Sequence, residues 1–82
     1  ALAKAQRITQ QELSALGWTT EDLRGHRKGD ARKVRIAARL RRETTMTLEW
    51  IAQQLCMGAA THVASLLQRL KQKEANSEKT LF

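Results

Sequence analysis

No proline occurs in these 82 residues, and glycine occurs only four times. A sandwich or barrel needs a turn every 8–12 residues or so, built largely from those two residue types. This chain cannot supply them, so an all-β fold is excluded and helices joined by a few marked turns remain. The core must be aliphatic, because Trp18, Trp50 and Phe82 are the only aromatics. At 41% apolar residues the chain is too hydrophobic for a disordered basic tail, and its length allows one small domain. A single cysteine, Cys56, excludes a disulfide scaffold and is consistent with a reducing, cytoplasmic setting. No apolar run reaches the roughly 18 residues of a spanning helix, and no signal-peptide pattern opens the chain. The sequence begins at Ala1 already inside a helical pattern, which leads us to expect a piece cut from a longer protein.

Leu2, Ala5, Ile8, Leu13 and Leu16 make residues 1–16 a moderately amphipathic helix, ended by Gly17 in a left-handed cap. Thr19 and Asp22 stand at capping-box spacing for a short helix around 20–25. Gly25 and Gly29 bracket the basic loop His26-Arg27-Lys28, and Asp30 caps a helix over 31–43. Thr44, Thr45 and Thr47 interrupt the pattern and favour a new helix start. Leu48 to Leu55 then reads as a short helix, Cys56-Met57-Gly58 as a turn, and Ala59 or Ala60 as the start of a helix to about Gln72. The expected architecture is all-α, four main helices plus a short one within residues 1–73, followed by a frayed tail over 74–82.

The net charge of +7 is unevenly placed. Residues 24–42 hold nine bases and one acid, whereas the other 63 residues hold six bases and seven acids. Within the 31–43 helix, Arg32, Arg35, Arg39 and Arg42 fall in one sector of about 80°, with Val34, Ile36, Ala37, Ala38 and Leu40 facing the core. Four guanidinium groups in a row, read as lacking compensating acids, match a polyanion whose phosphates accept their paired donors.

The segment from Thr47 to Leu70 carries the strongest signal. Ile51, Ala52, Leu55, Met57, Val63, Leu66, Leu67 and Leu70 are spaced as the inner positions of two helices meeting at a tight turn. Ala52 is small where the helices cross, and Gly58 permits a positive φ at the corner. Opposite stand Thr61, His62, Ser65, Gln68, Arg69 and Gln72, short hydroxyls before long donors, which suits a helix entering a major groove by its N-terminus.

Eleven residues separate Ala52 from Val63, one more than in the usual bacterial repressor motif. This spacing, with Leu55-Cys56-Met57-Gly58-Ala59-Ala60-Thr61, resembles the DNA-binding domains of the tryptophan repressor and the bacterial replication initiator. Cys56 departs from that pattern, standing where Gly is more usual. A wider stretch resembles the C-terminal segment of bacterial proteins related to single-tyrosine insertion-sequence transposases. It comprises Arg27-Lys28-Gly29-Asp30, Lys33 to Arg41, and Glu43 to Ala52. That resemblance implies a DNA-binding accessory domain beside a catalytic domain that uses a His-hydrophobe-His metal site and a tyrosine. This chain has no tyrosine, and His26 and His62 lie 36 residues apart.

No paired carboxylates, metal cluster or phosphate loop stands out, so neither catalysis nor a cofactor or metal is expected. Trp18 reads as a core plug, Trp50 as packing, and Cys56 as a small apolar residue. The expected function is double-stranded DNA binding, with Thr61, His62, Ser65 and Arg69 toward base edges and Arg35, Arg39, Arg42 and Thr47 toward phosphates. Two other readings stay open: a protein-interaction module within a larger enzyme, its basic row on an acidic partner, and a binder of structured RNA.

Overall fold

The computed structural model describes the backbone of residues 2–80 and the side chains of residues 2–73. Five helices follow in order: α1 (Leu2–Leu16), α2 (Thr20–Gly25), α3 (Ala31–Glu43), α4 (Leu48–Gln54) and α5 (Ala60–Thr80). No strand occurs among the described residues. The domain is all-α, as the scarcity of turn formers requires.

Local chemistry sets the helix starts. Thr19 and Asp22 form a reciprocal capping box at the head of α2. Asp30 accepts from the Arg32 backbone N–H at the head of α3, and Thr47 from the Trp50 N–H at the head of α4. Gly17, with φ of 71°, closes α1 through a left-handed residue. The last helix overruns its expected end near Gln72 and continues to Thr80. Of the tail read over 74–82, the side chains and the last two residues lie outside the described residues.

One apolar cluster holds these helices together. Ala5, Ile8 and Leu13 of α1, Leu23 of α2, Val34, Ile36, Ala37 and Leu40 of α3, and Ile51 and Ala52 of α4 are buried, with Leu55, Met57 and Val63 at the corner and in α5. α3 is the central element, packing against α1, α4 and α5, and α4 packs most extensively on α5. Trp18 does not plug this core. It is half-buried at its edge, its ring stacked on His26 at 4.0 Å, with the Arg32 guanidinium 4.6 Å from its centroid. A chain so short has an edge close to every helix, and indole burial there is shared with neighbouring polar rings.

Asp30 does two jobs at the head of α3. Besides capping it, its carboxylate takes paired hydrogen bonds from Arg32 Nε and Nη2 at 3.1 and 3.0 Å. The Arg32 side-chain bond is the main reason that its pKa falls from 3.8 to about 2. A carboxylate favoured by the fold contributes stability above its unfolded pKa and loses it as the pH drops toward the folded value. Asp30→Asn keeps a good cap but loses the ion pair. The wild-type chain should therefore melt higher than this variant at neutral pH, with the two melting curves converging between pH 3.8 and about 2. A gap that stays constant across that range would refute the assignment.

Candidate nucleic-acid interface

The helix–turn–helix is built by α4, residues 55–59 and α5. Ile51, Ala52, Leu55, Met57 and Val63 are wholly or almost wholly buried at the junction, and the Met57 N–H donates to the Ala52 carbonyl at 2.9 Å. Cys56 has φ of 53°, so it adopts the left-handed backbone that its place in the turn demands, at a cost of about 1–2 kcal/mol. Gly58 follows with φ of 86°. The turn therefore reverses the chain through two left-handed residues, only one of them a glycine.

With the inner face of α5 committed to the core, its outer face is open. Thr61, His62, Ser65 and Arg69 are all exposed, as are Gln68 and Gln72. Ala59, just ahead of the helix, has no side-chain acceptor for the first N–H groups of α5.

The arginine row divides. Arg39 donates from Nη1 to Glu12 Oε1 of α1 at 2.6 Å and from Nε to Glu43 Oε2 at 2.9 Å. These hydrogen bonds, Glu12 first, hold its pKa above the ordinary arginine value. Arg39 therefore joins α1 to α3 and is not free to face a phosphate. Glu43, four residues along the same helix, is the compensating acid that a reading of the arginines alone misses. Arg32 is likewise taken up by Asp30. Arg35 and Arg42 remain. Arg35 is exposed, and Arg42, with its side chain 75% exposed, has only a loose 3.8 Å approach to Glu43. A difference of about 60° around the axis separates the mean directions of the two pairs: 35 and 42 face outward beside α5, while 32 and 39 turn toward α1 and the Trp18 corner.

The crossing of α3 and α5 adds cations that neither helix shows alone. On one side, Arg35 shares a groove with Arg69 and Lys73, floored by Val34, Leu66 and Leu70. On the other, Arg41, Arg42 and Lys71 surround a floor of Ala38, Leu67 and Leu70. Arg69, expected to face bases, and Arg35, expected to face phosphates, thus line one groove. Thr47 is exposed, but its Oγ accepts from Trp50 N–H at 3.1 Å, leaving its hydroxyl proton as the group free to donate. Lys71 and Lys73 had no signal in the sequence beyond their charge, since their place depends on how two helices cross.

Lys33 is the other departure. It is counted with the basic segment, yet it is fully buried. Its Nζ donates to the His26 carbonyl at 3.0 Å and to the Cys56 carbonyl at 3.3 Å. Burial pushes its pKa below the ordinary lysine value. This ammonium is internal scaffolding and presents no charge to a ligand.

Among the described residues no cluster of His, Cys, Asp and Glu could hold a metal ion, and no helix is long and apolar enough to cross a membrane. Compared with protein-family models, with curated proteins and with solved structures, the chain gives no match.

Proposed function

We propose that this domain binds double-stranded DNA through α5, as an accessory domain of a transposase-related protein. The observation that carries the DNA reading is the convergence of Arg69 and Lys73 of α5 with Arg35 of α3 along one groove, beside an exposed outer face of α5. Thr61, His62, Ser65 and Arg69 face base edges. Arg35, Arg42 and Thr47 hold phosphates, with Lys71 and Lys73 beside them, while Arg39 is committed to Glu12 and Glu43. Phosphate contacts position the domain and base contacts discriminate, so the two groups should fail differently.

Fluorescence-anisotropy titrations test this, using duplexes selected from a random pool alongside unselected ones at several salt concentrations. Arg69→Ala should cost about 1–3 kcal/mol on the selected duplex and much less on the others. Arg35→Ala should weaken both alike and flatten the log–log salt slope by about 0.9. Equal losses on both duplexes for Arg69→Ala would remove it from the base-facing set. If an RNA hairpin or an acidic protein outcompetes duplex DNA, the proposal fails and one of those partners takes its place.

A further inference from the structure

The loop between α2 and α3 is pinned from several sides at once. Lys33 ties the His26 carbonyl to that of Cys56, joining this loop to the corner of the helix–turn–helix. The His26 ring stacks on Trp18, and Asp30 closes the loop by capping α3. Gly29 lies against α5, where an added methyl group would meet Leu66 Cδ2 at 3.5 Å. Lys28 lies along the turn itself: a methyl group at Gly58 would meet its Cδ at 3.3 Å and its Nζ at 3.6 Å. The loop is therefore held in register with the corner that leads into α5.

Two cations stand on it. Arg27 and Lys28 are exposed, and neither has an acidic partner among the described residues. A loop kept basic only for solubility would gain nothing from being fixed by a buried ammonium, which is costly to desolvate. What the fixing achieves is a set position for these two charges relative to Thr61 and His62. We propose that Arg27 and Lys28 form a second duplex-DNA contact, binding phosphates of the strand that passes the start of α5. This assignment rests on the DNA reading above and extends the interface beyond α3 and α5 to an irregular segment.

The test compares two double variants of the full chain. Arg27→Ala/Lys28→Ala removes the loop cations. Lys4→Ala/Arg7→Ala removes two exposed cations of α1, which meets the rest of the domain chiefly through α3. Both lower the net charge equally, and both sit on the surface, where the fold tolerates exchange. With a short duplex of unselected sequence, the loop variant should bind about 60-fold more weakly at 0.1 M salt, with a log–log slope flatter by about 1.8. The α1 variant should change affinity by less than about threefold. Equal effects from the two variants would reduce the loop to a contributor to overall charge and overturn the proposal. Failure of the unaltered chain to bind duplex at low salt would instead bring down the DNA reading, and this assignment with it.

Discussion

Lys33→Ala is expected to destabilise the domain by about 2–5 kcal/mol, a large share of what a chain of this size can hold. The substitution removes a fully buried four-carbon stem and leaves a cavity between α3 and the turn. It also strips the part-buried His26 and Cys56 carbonyls of a donor, and an acceptor left unsatisfied away from water costs about 1–3 kcal/mol, less where water reaches it. Relief of a desolvated charge offsets part of this, which keeps the total below the simple sum. Lys33→Met restores most of the volume without the donors, so it should fall between wild type and alanine in urea unfolding. The two substitutions separate packing from hydrogen bonding. A pH series adds a check on the charge itself. Because burial lowers the pKa of Lys33, the unfolded chain holds this proton to higher pH than the folded one. Stability should therefore rise as the pH climbs through the folded pKa toward 10.5, a rise that the methionine variant lacks. An alanine variant as stable as wild type would show that the bridge between loop and turn is idle.

Ile51→Ala should also cost about 2–5 kcal/mol. Ile51 is wholly buried in α4, a helix of only seven residues. A helix so short has no stability of its own in water and exists because its inner face packs on α3 and α5. Loss of the sec-butyl group therefore removes part of the reason for the helix as well as the filling of the core. Gln53 and Gln54 on the same helix are exposed, and their alanine variants should stay within about 0.5 kcal/mol of wild type. Thermal or urea unfolding of the three variants gives the comparison. Similar losses at all three positions would mean that the helix is held by its backbone and that the buried face is unimportant.

Much of this fold is legible in the residues because its signals are local. The caps at Thr19, Asp30 and Thr47, the left-handed Gly17, and the buried positions of the helix–turn–helix each depend on a few neighbouring side chains. Cys56 is less legible: Gly58 reads as the residue with positive φ at the corner, and Cys56, with φ of 53°, is a second one. The errors arise where a side chain answers to a distant element. Arg39 sits in the same row as Arg35, and only the approach of α1 shows that Glu12 claims it. Lys33 reads as one more surface cation until packing places its stem in the core between the α2–α3 loop and the turn. The grooves that bring Lys73 to Arg35 and Lys71 to Arg42 follow from a crossing angle, which periodicity within single helices does not contain. Charge segregation along the sequence thus overstates how many arginines of this region are free, since Asp30, Glu12 and Glu43 claim two of them.

The outer face of α5 has a consequence for how such a domain can change over generations. Thr61, His62, Ser65 and Arg69 are exposed, and among the described residues their side chains make no hydrogen bond or ion pair to the rest of the fold. Exchange at those positions leaves the scaffold almost untouched, since stability resides in Leu40, Ile51, Val63 and their neighbours. Under the proposed DNA reading, target preference can drift while the architecture stays intact, so descendants of one ancestral framework would be free to address different sequences.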